Sequence, residues 1–193
     1  SLNYGIYLGA FESTVAESCL VRIVGSEGIR ALAIKTSSAF DCGGTAINGS
    51  QVSDCRGDST GASGVSAVNA QNCYGSGAGV GHGVNATSAQ NCYGYSSGSG
   101  RGVSATMAQN CRGHCDGSGV GVYATTAQNC YGYSNSGYGV YAQQVASACY
   151  GVSTSGTGLH AVNASFCTAS RSSGRAIDAT IATGCYAESG TNL

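Results

Sequence analysis

The chain contains no proline and no tryptophan, and only 9% of its 193 residues are charged. So little charge argues against disorder, because disordered chains are typically strongly charged, whereas 42% of residues here are hydrophobic and recur in a pattern. A formal net charge of −1 with no basic run leaves no electrostatic footprint for DNA, RNA or anionic lipid. Nucleic-acid partners are not expected on that ground. No stretch approaches the roughly 20 consecutive apolar residues of a membrane span, and no charged-then-apolar signal segment is present, so membrane insertion is not expected. Large apolar side chains are also scarce, with three Phe and one Met. Ala, Val and Cys supply most of the apolar surface, and any core built from them is narrow. What the chain has in quantity is glycine, 32 residues, with 12 tyrosines and 11 cysteines. A start at Ser1 suits a processed secreted protein or an excised piece, and the expected location is extracellular or on a cell surface.

Cysteine reveals the order. Cys55, Cys73, Cys92, Cys111, Cys130, Cys149, Cys167 and Cys185 are spaced by 18 or 19 residues throughout. An aliphatic anchor keeps the same rhythm at Ile29, Ile47, Val65, Val84, Val103, Val122, Val140, Leu159 and Ile177, each after a glycine except where Ala46 and Ala176 replace it. In almost every unit the cysteine falls eight residues after the anchor. Two columns holding one register are the signature of a solenoid.

Within a unit such as Gly83 to Ser96 the residues alternate in short pieces. Val84, Ala86, Cys92 and Gly94 are expected to point inward, Asn85 and Tyr93 outward. No segment shows helical periodicity. The unit reads as two or three short strands joined by tight turns, and stacking pairs each strand with its counterparts at about 4.8 Å. Ten anchors from Ile6 to Ile177 then give a rod about 45 Å long. Residues 1–193 are expected to form one solenoid, with irregular coils over 1–46 and regular repeats over 47–193.

The stretch Gly5-Ile6-Tyr7-Leu8-Gly9-Ala10, followed by Ser13-Thr14-Val15, Glu17-Ser18-Cys19 and Gly28-Ile29-Arg30-Ala31, resembles the right-handed parallel β-helix repeat proteins. The resemblance extends at low specificity over the whole chain. It implies an all-β fold, a single right-handed parallel β-helix of about nine to ten coils, and no particular activity, since that fold hosts lyases, hydrolases, adhesins and structural rods. Coils of 18 residues also suit a left-handed hexapeptide β-helix, which would want an aliphatic every six residues.

Several columns are candidates for chemistry. The cysteines form a ladder of parallel side chains, which does not converge on a tetrahedral metal and opposes the disulfide dihedral, so they read as buried free thiols. Cys19, Cys42 and Cys115 stand outside that column; Cys115 takes the slot of Ser96, Ser134 and Ser153, and a Cys111–Cys115 disulfide is an open alternative. Asn72, Asn91, Asn110 and Asn129, with Asp54, form a ladder at a tight turn that tolerates left-handed backbone. Gln71, Gln90, Gln109 and Gln128 lie one residue earlier. After the cysteine come Tyr74, Tyr93, Arg112, Tyr131, Tyr150 and, past Thr168, Tyr186, an outward aromatic stripe flanked by Tyr95, His114 and Tyr133. Such a stripe either binds a sugar surface or stacks on itself.

Paired carboxylates, acidic metal-ligand clusters and the calcium β-roll aspartates are missing, and His82, His114 and His160 fall in different columns. No catalytic residue, metal or cofactor is expected. Asn-x-Ser/Thr sequons occur at Asn48, Asn85 and Asn163, all expected in the outward slot after the aliphatic anchor. The slots Thr87, Thr106, Thr125, Gln143, Val162 and Thr180 form only a partial threonine array, a weak basis for ice binding. The repeat runs from Ile6 to Cys185 without an evident cap, so the leading expectation is a non-enzymatic extracellular structural protein: a filament subunit stacked head to tail on itself, or a stalk or adhesin segment. The alternative is a carbohydrate-binding or surface-adhesion module that engages extracellular polysaccharide through the tyrosine stripe.

Overall fold

The computed structural model describes residues 3–9 and 13–189, so Ala10, at the end of the motif stretch, lies outside the described residues. It is an all-β parallel solenoid of about ten turns with about 18 residues per coil. The first two coils have three strands each: β1 (Ile6–Tyr7), β2 (Val15–Glu17) and β3 (Leu20–Val24), then β4 (Ile29–Arg30), β5 (Ala33–Lys35) and β6 (Ser38–Cys42). From there each coil has one long and one short strand. The long strands are β7 (Ile47–Ser53), β9 (Val65–Gln71), β11 (Val84–Gln90), β13 (Arg101–Gln109), β15 (Val120–Gln128), β17 (Tyr138–Ser147), β19 (Thr157–Ser165) and β21 (Ile177–Thr183). The short ones are β8 (Arg56–Ser59), β10 (Tyr74–Gly77), β12 (Tyr93–Ser96), β14 (Arg112–Cys115), β16 (Tyr131–Ser134), β18 (Tyr150–Ser153), β20 (Thr168–Arg171) and β22 (Tyr186–Ser189).

Long strands pair in parallel into a 12-stranded sheet that also takes in β1, β2, β4 and β5, and short strands form a 10-stranded sheet with β3 and β6. Two unequal sides per coil do not match the equal sides of a hexapeptide helix. Register follows the sequence columns: Val84 pairs with Val65 and Val103, and Gly94 with Gly75 and Gly113. The one anchor-to-cysteine interval of nine residues, Val140 to Cys149, has a local cause. Ala142 pairs with Ala124 but Val145 with Thr126, so β17 carries an extra residue as a bulge.

The anchor column is fully buried from Ile29 through Leu159, and each such side chain contributes about 1.5–3 kcal/mol. Opposite it the two sheets close on glycine. A Cβ on Gly94 would lie 1.9 Å from the Gly102 carbonyl oxygen, and one on Gly102 would lie 2.3 Å from the His114 nitrogen. Only hydrogen fits in the middle of the rod. Toward either end the same two positions become Ala39 with Ala46 and Ala169 with Ala176, replacing both glycines in one coil together.

Candidate functional site

Alternation along the short strands turns the first and third residues outward, which builds two columns on the 10-stranded sheet. Tyr74, Tyr93, Arg112, Tyr131 and Tyr150 stand in successive register in the first column, with Thr168 and then Tyr186 after them. Tyr74 and Tyr93 stack with centroids 5.2 Å apart and planes 6° apart, Arg112 lies 5.7 Å from the Tyr93 ring centre and 4.9 Å from that of Tyr131, and Tyr131 meets Tyr150 at 5.5 Å. The stack continues toward the N-terminus through residues that the sequence reading did not include. Arg56 sits over Tyr74 at 4.7 Å and over Phe40 at 5.3 Å, and Arg22 lies over Phe40 at 5.4 Å. Cations and rings therefore cover one another's faces along the axis. The four tyrosines from Tyr74 to Tyr150 are half-buried for that reason, whereas Tyr186 is 63% exposed.

In the second column Tyr95, His114 and Tyr133 follow in register, and His114 stacks on Tyr133 at 4.5 Å. The Tyr95 hydroxyl donates to Asp116, whose other oxygen is 2.7 Å from His114 Nε2. Those two hydrogen bonds, Tyr95 first, hold the Asp116 carboxyl below its usual range, and the same bond pushes the Tyr95 phenol up to about 12.

A second aromatic stack escaped the sequence reading. On the 12-stranded sheet Arg101 lies 3.6 Å from the Tyr123 ring centre, Tyr123 stacks on Tyr141 at 5.3 Å, and Tyr141 stacks on His160 at 4.6 Å. His160 Nδ1 is 3.1 Å from Asp178, which also accepts from Arg175 at 3.2 Å. The signal was present in the slot directly after the anchor, where Tyr123, Tyr141, His160 and Asp178 follow one another. Near the N-terminal end of this face lies an open depression of about 350 Å³ lined by Arg30, Leu32, Asn48, Ser66 and Val68 among others, with no carboxylate among the described residues of its wall. Of the three sequons, Asn48 and Asn85 share the slot after the anchor, whereas Asn163 stands in another column beside Val145 and Ile181.

The asparagine ladder is hydrogen-bonded from coil to coil. Asn72 donates to Asp54 at 3.0 Å, Asn91 to Asn72 at 3.2 Å, Asn110 to Asn91 at 3.2 Å and Asn129 to Asn110 at 3.3 Å. All four asparagines have φ between 51° and 53°, and Ser18, Thr36, Ala148, Phe166 and Gly184 keep the left-handed corner in other coils. Gln90 donates to Gln109, and Gln109 to Gln128, more weakly at 3.4 and 3.5 Å. The threonine row ends when Thr125 donates to Gln143 at 3.0 Å.

The eight cysteines of the repeat form one inward column. Cys19 belongs to it as well, contrary to the sequence reading, because Ser37 fills the intervening coil with 1% exposure. A serine in a cysteine slot hid the continuity. Cys42 and Cys115 share a different column with Ser59, Ser96, Ser134 and Ser153. All 11 cysteines are free, which disposes of the Cys111–Cys115 disulfide; the Cys115 thiol donates instead toward the Gly98 carbonyl at 3.1 Å. In the main column each thiol approaches the carbonyl two residues before it, as Cys92 does with Gln90 at 3.3 Å.

Burial pushes the Cys42 and Cys55 thiols up to about 11. Farther along, hydrogen bonding between neighbours, together with burial, drives Cys92, Cys130 and Cys167 far up, while donation from adjoining S–H groups draws Cys73, Cys111 and Cys149 down. Among the described residues no three His, Cys, Asp or Glu side chains gather as a polydentate metal site. No known family, curated protein or solved structure matches this chain.

Proposed function

We propose that this chain is a non-enzymatic extracellular structural rod, working as a filament subunit joined head to tail or as a segment of a stalk or adhesin. One observation carries the reading: the repeated outward groups are engaged with their own counterparts in the coils above and below. Asparagine amides bond to asparagine amides, rings and guanidinium groups cover one another, and glutamines bond to glutamines. Recognition groups used along the axis stiffen a rod and leave few free to converge on a substrate. Burying nine of the 11 thiols also suits an oxidising exterior, because oxidants reach exposed thiolates first.

In the filament version, β1–β3 of one copy seat on β21–β22 of the next in the register that continues every ladder. Ile6 then follows Ile177, Cys19 follows Cys185, and Arg22 meets Glu188 in one column. Electron microscopy of the purified chain over a concentration series tests this. Long unbranched fibres are expected, lost in Arg22→Glu or Glu188→Arg alone and restored when the two variants are mixed. Separate short rods at every concentration overturn the filament and leave the stalk.

The alternative, a polysaccharide-binding surface, draws on the tyrosine edges and the exposed Arg112 guanidinium of the stripe. It requires Tyr93→Ala with Tyr131→Ala to abolish retention on a glycan array while the sheet signal is kept. Unchanged retention removes it.

A further inference from the structure

Cys55, Cys73, Cys92, Cys111, Cys130, Cys149, Cys167 and Cys185 succeed one another in one inward column, and the residue after each from Cys73 to Cys185 donates its backbone N–H to the carbonyl of the cysteine one coil before, as Arg112 does to Cys92, so the column advances by one strand spacing per coil. Parallel strands repeat at about 4.7–4.9 Å. A metal–thiolate bond of about 2.3 Å makes a straight sulfur–metal–sulfur span of about 4.6 Å. The two lengths agree. A tetrahedral ion finds too few donors in such a column, but an ion that takes two thiolates in line requires only successive coils. Thiolates are the ligands that select soft ions such as copper(I). The interior adds a condition on charge, because burying an unbalanced charge is costly.

We propose that the cysteine column is a linear binding site for soft monovalent d10 ions, copper(I) or silver(I), with one ion seated between each two successive sulfurs. Eight cysteines leave seven gaps. On loading, seven S–H bonds break, seven protons leave to solvent and seven ions take their place on the sulfur lone pairs, while the eighth cysteine keeps its proton. No electron is transferred and no net charge accumulates. Cys185, only partly buried, is the open end of the column. Cys115 is an internal control, since its neighbours in register are Ser96 and Ser134.

The test is an anaerobic titration of the reduced full chain with silver nitrate, read by native mass spectrometry, with circular dichroism to follow the sheet. Seven silver ions are expected for the wild type. Cys111→Ser removes two adjoining gaps and should bind five, whereas Cys115→Ser should still bind seven. Serine is accepted in this column, as Ser37 demonstrates, so Cys111→Ser is expected to fold. An equal loss in the two variants, no binding, or loss of the sheet signal on loading each overturns the proposal.

Discussion

The coils between Ile47 and Ser153 and the two before them, from Ile6 to Cys42, share one register but fill it with different side chains. The central coils use the smallest residues available: two facing glycine columns, an alanine column, and a cysteine at each turn. The first coils place Val21 and Ala39 where the centre has glycine, bury Ile34 where the centre has alanine, and put Ser37 in the cysteine slot. Their charge is local too, with Arg30 and Glu27 paired at 3.3 Å. Larger residues fill a three-stranded coil by volume, whereas the centre is held by backbone proximity and by ladders. Near-identical coils are thus a consequence of near-zero side-chain volume at the two facing positions.

The sharpest way to break this comparison is Gly113→Ala. Its Cβ would stand 1.9 Å from the Gly121 oxygen and 2.4 Å from that carbonyl's carbon, both backbone atoms that cannot swing aside. A loss of about 3 kcal/mol or more is expected in urea unfolding, at the upper end for overpacking. The opposite change in the first coils, Ala39→Gly, should cost only about 1 kcal/mol, from backbone entropy and a lost methyl. Equal costs would mean that the glycine columns do not set the thickness of the rod.

Next in size is the corner ladder. Asn110 combines a φ of 52° with hydrogen bonds to Asn91 and from Asn129, so Asn110→Ala should cost about 2 kcal/mol. In the first coils the equivalent Thr36 is β-branched at a φ of 44°, with one hydroxyl contact to Ser18 at 3.3 Å. Thr36→Asn should therefore raise stability by about 0.5–1 kcal/mol. Ala148→Asn, which extends the central ladder by one rung beyond Asn129, is expected to gain a similar amount. Thermal melts of the three variants rank them directly.

These ladders explain what was legible from residues alone. Identical residues at identical intervals stand above one another in a parallel solenoid, so the cysteine, asparagine and tyrosine columns could be read from spacing. Columns with changing residues could not. Cys19 was lost behind Ser37, Cys42 behind Ser59, and the stack from Arg101 through Tyr123 to Asp178 behind four residue types. Stacking partners were also invisible to alternation, which gives the outward direction of Tyr74 and Tyr93 but not that each covers the other's face. That pairing depends on ring orientation, and it moves the stripe from an open binding surface toward a self-satisfied ladder.

The smallest expected effect lies in the outer column, where the centre has Tyr95 and His114 and the first coils have Arg22 and Phe40. The central version contains a carboxylate whose titration is tied to the fold: Asp116, held below its usual range by Tyr95 and then His114. A depressed folded pKa adds stability above the unfolded value near 4, and that stability is lost as pH falls through the lower folded value. Because Asp116 is half exposed, solvent screening limits the contribution to about 0.5 kcal/mol. The wild type should melt slightly above Asp116→Asn at pH 7, and the gap should close as pH falls from about 4 toward 2. A gap that persists at pH 2 would assign the effect to neutral hydrogen bonding, and the outer column would then be held together in the same way as the asparagine corner.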